Sequence, residues 1–410
     1  MNDREFDLIL LGATGFTGSL VARHLHDTYG DTLNWAMAGR NLTKLQRVQS
    51  DLNCSVPLIE TNSSDATAMS SLAARTKVVC TTVGPYALYG TPLVEACAAA
   101  GTHYCDLTGE VQWMAQTISR FEPLAQESGA RIVHTCGFDS IPSDLGVLYT
   151  QQRMQAQHQC YADTIKARVG RFSGSASGGT IASMMVMMEQ MGKDATIAEL
   201  MANPYSLNPQ DEQSGPDGLD ENQAIYDTDF EQWTSPFVMA AVNARVVRRS
   251  NALQGFPYGR QFRYDERQLT GVDKAGQRKA KNIAFGSRVG PAVMSFGPIR
   301  KLASRFLPKP GEGPSPEAQL NGHFELFFHA ASTGNSKAVR TRVSGDRDPG
   351  YGATSRMLGE AAVCLAQDDL TCPGGIYTPA TAMGEHLIER FQRNAPATSD
   401  QYYLVPRVVE

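Results

Sequence analysis

Four titratable side chains, Tyr86, Asp106, Glu110 and Asp139, lie in three short loops that could together form an active site. Each loop follows a short apolar run with the composition of a buried strand, so these groups would meet where the strands end. A tyrosine or a carboxyl group at such a place can give a proton to a substrate. We expect Tyr86 to be the leading proton donor and Asp139 the second, although Asp139 could instead only cap a turn or a helix.

A glycine-rich turn near the N-terminus predicts what these groups would face. The run Asp7–Leu11 is followed by Gly-Ala-Thr-Gly-Phe-Thr-Gly and then by a helical pattern. The first glycine permits a tight turn, the second lets a pyrophosphate approach the backbone, and the third allows the helix to pack closely on the strand. This context favours a dinucleotide site over a mere turn. The residues expected to bind the cofactor here are Gly12, Thr14, Gly15, Phe16, Thr17 and Gly18.

The end of the second apolar run predicts which dinucleotide binds. An acidic side chain there would bond the ribose 2′-hydroxyl of NAD, but this chain has Arg40, followed by Lys44. A guanidinium group can hold a 2′-phosphate through two hydrogen bonds and keeps its charge. We therefore expect NADP (NADPH) as the cofactor, with NAD less favoured. The alternative is that Arg40 and Lys44 are ordinary solvated residues at the start of a helix.

Strands alternate with helices through the first 145 residues, which is typical of a parallel sheet built from βαβ units. The predicted strands are Asp7–Leu11, Trp35–Ala38, Val56–Ile59, Val78–Val83, His103–Asp106 and Arg131–Thr135. Val83, Gly84 and Pro85 would leave the fourth strand near the nicotinamide end of the cofactor, and we expect them to contact it. The fold class is therefore α/β, with a doubly wound parallel Rossmann sheet.

Seven stretches together resemble the saccharopine dehydrogenase-like oxidoreductases, and more narrowly their trans-acting enoyl reductase branch. They are GATGFTG (12–18), AGR (38–40), VGPYALYG (83–90), ACAAAGTHYCDLTGE (96–110), GFDSIPSD (137–144), SGGT (177–180) and GGIYTPA (374–380). The resemblance implies an NAD(P)-binding Rossmann domain with an inserted α+β second domain. It also implies reduction of an unsaturated acyl intermediate in lipid or glycolipid metabolism.

The C-terminal helical patterns are expected to pack back on the nucleotide-binding domain. One covers Tyr351–Ala366 and another starts at Thr378. The Rossmann domain would then comprise residues 1–145 and about 350–410, with residues 146–349 forming the second, substrate or dimerisation domain. Within the latter, Ile181–Met191 holds five methionines, which could accept a flexible acyl chain or belong to an ordinary buried helix.

Charge is divided unevenly along the second half of the chain. Residues 194–244 contain ten acidic residues and no Lys or Arg, whereas residues 274–311 contain nine basic residues and no acidic one. The two segments could neutralise each other. Alternatively, an amphipathic basic helix over residues 298–308 would suit an anionic membrane surface, an acidic acyl carrier protein or a dimer contact. We expect a peripheral lipid or protein contact through residues 274–309.

Composition excludes several classes of protein. The formal net charge of −5 does not suggest nucleic acid, the eight cysteines and eight histidines show no metal spacing, and no apolar run reaches the length of a membrane span. No signal-peptide pattern is present, so we expect a cytoplasmic protein, peripheral at the inner face of the plasma membrane if the basic segment binds lipid. The alternatives to an enoyl reductase are a non-catalytic NADP-binding sensor or scaffold and a saccharopine-type amino-acid dehydrogenase.

Overall fold

The strands that the structure describes form two sheets of seven strands each. The computed structural model describes residues 4–173, 178–219, 222–295, 313–334, 336–394 and 407–408. The helices are α1 Phe16–Tyr29, α2 Leu42–Asp51, α3 Ala66–Ala73, α4 Tyr86–Tyr89, α5 Thr91–Ala100, α6 Val111–Ser128, α7 Ile141–His158, α8 Gly178–Lys193, α9 Ala195–Ala202, α10 Ala240–Leu253, α11 Lys274–Ser295, α12 Pro316–Leu320, α13 Thr354–Gln367, α14 Pro379–Ala382 and α15 Gly384–Arg393.

The first sheet is parallel throughout and confirms the predicted α/β fold class. Its strands are β1 Phe6–Leu11, β2 Trp35–Gly39, β3 Leu58–Glu60, β4 Thr76–Thr81, β5 His103–Cys105, β6 Arg131–Val133 and β13 Gly375–Tyr377. They lie in the order β13–β6–β5–β4–β1–β2–β3. β1 and β2 are almost entirely buried because helices cover both faces of such a sheet. The winding direction reverses between β1 and β4, where open sheets bind ligands.

The chain returns to this sheet near its C-terminus. α13 packs on α1 and on strands β1, β4 and β5, and its apolar side is buried. At the contact with α1, His24 Nε2 lies 2.9 Å from Glu360 Oε1. β13 then pairs with β6, with Gly375 opposite Arg131. The first sheet therefore gains its last strand only after β7 to β12 of the second sheet have been passed along the chain.

The second sheet is mixed, with both parallel and antiparallel pairs of strands. Its strands are β7 Thr164–Ser173, β8 Ile225–Asp227, β9 Gln232–Pro236, β10 Arg263–Gly271, β11 His323–Ser332, β12 Lys337–Gly345 and β14 Arg407–Val408. Their order is β14–β12–β11–β7–β10–β9–β8, with β7 and β10 parallel and the other neighbours antiparallel. α7 covers this sheet so closely that a Cβ on Gly146 would lie 2.3 Å from the Phe328 ring.

α10 joins the two sheets through buried arginines. Arg248 Nη2 donates to the carbonyl of Tyr264 in the second sheet at 3.0 Å, and Arg249 Nη2 donates to the carbonyl of Ile376 in the first at 2.6 Å. Each guanidinium satisfies backbone oxygens that would otherwise be buried without a partner. α10 therefore contacts both sheets through buried side chains.

The structure differs from the sequence prediction at several elements. The six predicted strands of the first sheet form, but the fourth is Thr76–Thr81 and ends before Val83, and β13 was not predicted. Residues 407–408 pair with β12 of the second sheet, although the sequence assigned the C-terminal segment to the Rossmann domain. The predicted amphipathic helix at 298–308 lies outside the described residues.

The acidic segment is neutralised by cations outside the basic segment. Arg168 Nη2 lies 2.6 Å from Asp227, and Arg248 Nε lies 2.8 Å from Asp217. Further pairs join Lys166 to Asp229 and Arg260 to Glu212. The expectation that residues 194–244 and 274–311 neutralise each other does not hold for these carboxylates, because β7, α10 and the β10 region supply their partners.

The described part of the chain contains neither a membrane-spanning helix nor a metal-binding cluster. No helix among these residues is both long enough and apolar enough to cross a bilayer. The same part of the chain contains no group of three or more His, Cys, Asp or Glu side chains that could hold a metal ion.

Candidate cofactor site and active site

The glycine turn after β1 has the geometry that a dinucleotide site requires. Gly12 has a φ of +94°, and its N–H donates to the Ala38 carbonyl at 2.9 Å. A Cβ on Gly18 would lie 2.1 Å from the Gly12 carbonyl oxygen, so α1 crosses the turn too closely for a side chain. Gly15 is exposed at the tip of the turn. The three glycines leave an open cradle of backbone for a pyrophosphate.

α1 begins without a side-chain cap. Gly15 is the N-cap residue and offers no hydrogen-bond acceptor, and the first turn of the helix has no acidic side chain. The first N–H groups of a helix have no partners within the helix, and the helix dipole favours an anion beside them. The cradle and the uncapped helix therefore fit the pyrophosphate of a dinucleotide.

The other predicted residues of this turn lie in different environments. The Thr14 hydroxyl faces the end of β2, 3.8 Å from where a Cβ on Gly39 would lie. Thr17 is half-buried in the first turn of α1. The Phe16 ring makes an edge-on contact with the Tyr351 ring, with centroids 4.7 Å apart. The Phe16 side chain therefore anchors α1 to the C-terminal segment, leaving its backbone for a cofactor contact.

Arg40 and Lys44 are both exposed at the end of β2. Between them, the Asn41 side chain caps α2 by accepting from the Lys44 backbone N–H at 2.9 Å. Among the described residues neither Arg40 nor Lys44 has a salt-bridge partner. Both cations are therefore accessible at the place where the adenosine ribose of a dinucleotide lies.

Glu110 clamps the loop that contains Val83, Gly84 and Pro85. Its two carboxylate oxygens accept from the backbone N–H groups of Tyr86 and Ala87, each at 2.8 Å. The Ser183 hydroxyl of α8 donates to the same carboxylate at 2.7 Å. Val83 lies beside the glycine turn, since its side chain would be 2.9 Å from a Cβ on Gly12. The clamp fixes this loop next to the cradle.

Tyr86 is not placed as a proton donor. It is 5% exposed and its ring stacks on Trp113, with centroids 5.5 Å apart. Its hydroxyl donates to the Thr81 carbonyl and accepts from the Leu107 N–H, each at 3.2 Å. Burial, with Asp106 nearby, raises its pKa well above the ordinary value. The prediction of Tyr86 as leading donor does not fit this placement, because its hydroxyl is fully engaged in the core.

Asp106 also has a structural environment. Its buried carboxylate accepts from Tyr104 Oη at 2.8 Å, from Thr108 N at 3.0 Å and from Thr135 N at 3.1 Å. His134 Nδ1 lies 2.7 Å from the same carboxylate. These partners hold the loops after β5 and β6 together and occupy the lone pairs that a catalytic carboxylate would need.

Asp139 differs from the other two carboxylates of the loops. It is partly exposed, and no side chain among the described residues donates a hydrogen bond to it. Desolvation of its carboxyl group raises its pKa to about 7, with a smaller contribution from Asp106, while its own backbone N–H opposes the shift. This carboxyl group can therefore hold a proton at neutral pH and release it to a neighbouring molecule.

Asp144, five residues further along the chain, also has a raised pKa, but its carboxyl group is buried. Burial raises its pKa to about 7, but it is 1% exposed. It accepts from Ser250 Oγ at 2.5 Å and from the Ala380 N–H at 2.8 Å. Asp144 therefore fastens α7 to α10 and to α14, as a helix-terminus residue does, and takes no part in the site.

Apolar side chains lie near Asp139. Gly109 lies on one side, where an added Cβ would be 3.9 Å from Asp139 Oδ1 and 3.7 Å from the Met239 methyl. The preceding residue, Phe138, contacts Phe172, with ring centroids 5.7 Å apart, and Phe172 is 37% exposed. The sequence alone did not single out Met239, which directly precedes α10, or Phe172, which lies in β7. The positions of both residues depend on the second sheet.

Comparison with known proteins identifies the nucleotide-binding half. Residues 8–133 match the family model of the saccharopine dehydrogenase NADP-binding domain. The structure is similar to that of yeast saccharopine dehydrogenase (L-Glu forming), with a TM-score of 0.51, 12% identity, and coverage of 98% of this chain and 99% of that one. At this identity the likeness concerns the fold alone.

Relatives of the whole chain are more specific. A Mycobacterium tuberculosis protein named provisionally as a trans-acting enoyl reductase is 40% identical, covering 94% of this chain and 95% of its own. A trans-acting enoyl reductase of the same species is 37% identical, covering 95% and 96%. One of Mycobacterium ulcerans is 36% identical, covering 97% and 98%. This chain therefore belongs to the trans-acting enoyl reductase family, oxidoreductases with a saccharopine dehydrogenase-type NADP-binding domain.

Proposed function

We propose that the protein reduces an activated carbon–carbon double bond in an acyl chain, with NADPH as reductant and Asp139 as proton donor. The observation that carries this proposal is the Asp139 carboxyl group, which belongs to a partly exposed residue and has a pKa raised to about 7, so that much of it holds a proton at neutral pH. The names of the relatives support the reaction class.

The choice of NADPH over NADH rests on Arg40. Its exposed guanidinium follows β2, where an acidic side chain would favour NAD. Arg40, with Lys44 nearby, would hold the 2′-phosphate, and the turn from Gly12 to Gly18 would hold the pyrophosphate. When bound, NADPH supplies a hydride.

Asp139 completes the electron and proton balance. An enoyl thioester that gains a hydride at its β-carbon carries negative charge at its α-carbon, and it becomes saturated when a proton is added there. The Asp139 carboxyl can provide that proton and then regain one from solvent through its exposed side. A carboxyl with an ordinary pKa would be ionised and unable to do so at neutral pH.

The substrate class follows from what surrounds Asp139. Met239, Phe138 and Phe172 offer an apolar surface. The half-buried methionines of α8 lie beyond Ser183, which contacts the Glu110 clamp. Side chains of this kind accommodate a flexible acyl chain. A saccharopine-type substrate would instead need exposed arginines, whereas Arg245, Arg248 and Arg249 are buried and donate to backbone carbonyls.

The test is the oxidation of NADPH with crotonyl-pantetheine, a short enoyl thioester without a carrier. We expect butyryl-pantetheine as product, loss of turnover in the Asp139→Asn variant, and turnover within a few-fold of wild type in Tyr86→Phe. Binding of NADPH without any turnover would favour the sensor alternative. Loss of turnover in Tyr86→Phe alone, with Asp139→Asn active, would reverse the assignment of the donor.

A further inference from the structure

α11 lies flat on the second sheet through a face of small residues. Gly276, Ala280 and Ala284 are four residues apart, all three are buried, and the helix packs against β9 and β10. At its start, a Cβ on Gly276 would lie 2.7 Å from the Gly271 backbone. Because one face is anchored this closely, the opposite face of α11 must point away from the protein.

That opposite face is a line of cations with one aromatic ring. Lys274, Arg278, Lys281, Phe285 and Arg288 follow one another at intervals of four and three residues, and all five are exposed. We call them the α11 stripe. Phe285 is 67% exposed, which is unusual for a large apolar side chain. At a rise of about 1.5 Å per residue the stripe is roughly 21 Å long.

None of the cations of the α11 stripe has a salt-bridge partner within the described ranges, whereas several acidic residues of the same domain do. Asp217, Asp227 and Asp229 have their partners on β7 and α10, so these three carboxylates are not free to pair with α11. An unpaired line of like charges on a folded surface is a complement to an acidic partner.

A series of contacts connects α11 with the candidate active site. α11 packs against α8. Ser183 of α8 donates to the Glu110 clamp at 2.7 Å, and Glu110 fixes the loop beside the cofactor cradle. A partner bound on α11 could therefore extend an acyl chain along the methionine side chains of α8 toward Asp139.

We infer that the α11 stripe docks an acidic helix of a carrier protein that presents the acyl substrate as a thioester. This inference rests on the proposed reduction of an acyl chain. A helix with carboxylates on one face has the same length and spacing as the stripe, so several pairs can form in register. A membrane-surface helix would instead need a broad apolar face, and among the described side chains of α11 only Phe285 and Val289 are large, apolar and exposed.

The binding test uses a fluorescently labelled, strongly acidic acyl carrier protein that carries a crotonyl group on its phosphopantetheine arm. Its Kd for the full-length protein is measured by anisotropy at low and high salt. We expect the charge-reversed Arg278→Glu/Lys281→Glu variant to bind roughly tenfold more weakly, because two attractions become repulsions. The matched control, Arg23→Glu/Lys337→Glu, reverses one exposed Arg and one exposed Lys elsewhere and should keep the wild-type Kd.

Turnover separates this inference from the proposed function. The stripe variant should reduce crotonyl-pantetheine at the wild-type rate and lose kcat/KM only for the carrier-bound crotonyl group. Failure of every variant to reduce crotonyl-pantetheine, with stripe-dependent carrier binding intact, would remove the proposed function and leave the docking surface. Equal carrier Kd values for wild type, stripe variant and control would overturn the docking surface. So would stripe-dependent binding to phosphatidylserine vesicles without any effect on the carrier.

Discussion

Replacement of Asp139 by asparagine tests whether this carboxyl group gives a proton during reduction. Asparagine keeps the size of the side chain and one carbonyl oxygen but cannot release a proton at neutral pH. Burial raises the pKa of Asp139 to about 7. At pH 7 about half of the molecules would hold the proton, against about one in 1,600 if the pKa had its ordinary value of 3.8.

The magnitude and direction of the pH dependence follow from that pKa. Only the protonated carboxyl group can act, so kcat/KM of the wild type should be level below about pH 6 and fall about tenfold per pH unit above about pH 8. The Asp139→Asn variant should lose about 10²- to 10⁴-fold in kcat, and the residual rate should not follow this profile.

The assay follows the loss of NADPH absorbance with crotonyl-pantetheine at a series of pH values, with cofactor saturating. Urea unfolding of both proteins controls for folding. Because the folded-state pKa is raised, the folded protein binds the extra proton, and Asp139 lowers the stability as pH rises from about 4 to about 7. The variant should lack that decline. A flat wild-type profile, or wild-type kcat in Asp139→Asn, would refute the reasoning.

Three further changes test the cofactor site and its supports. Gly18→Ala places a Cβ 2.1 Å from the Gly12 carbonyl and should raise the Kd for NADPH more than about tenfold. The control Gly192→Ala has open space around the added Cβ and should keep the wild-type Kd. Similar Kd values for the two variants would contradict the proposed pyrophosphate site at the glycine turn. Arg40→Asp should lower kcat/KM about thirtyfold with NADPH and little with NADH, because one charge-assisted contact to the 2′-phosphate is lost. Equal losses of kcat/KM with both cofactors would count against that contact. Glu110→Ala leaves two backbone N–H groups without acceptors and should lower the free energy of unfolding by about 2 kcal/mol in urea titrations; an unchanged midpoint would argue against the clamp.

The first sheet could be predicted because its signals are local. Each of its first six strands is a short apolar run between turn residues, and Gly12 and Gly18 mark the turn by their spacing alone. β13 has only three residues and pairs with β6 from more than 200 positions away, so nothing near Gly375 indicates its partner. The position of Arg40 at the end of β2 followed from the same local pattern.

The environment of each titratable group could not be predicted in the same way. Tyr86 and Asp139 both follow strands of the first sheet. Tyr86, however, is buried, and its hydroxyl is hydrogen-bonded to the backbone of Thr81 and Leu107. Asp139 is partly exposed, and no side chain among the described residues donates a hydrogen bond to it. These differences depend on contacts between distant segments, and a single sequence does not encode them in any short pattern.

The late return of the chain to its first sheet has a genetic consequence. A stop codon before residue 375 would remove β13, and one before residue 354 would also remove α13 and uncover apolar positions of β1, β4 and β5. Such fragments would expose large apolar surfaces and be prone to aggregation and proteolysis. Nonsense alleles throughout most of the gene should therefore behave as complete nulls, with no half-length product that still binds nucleotide.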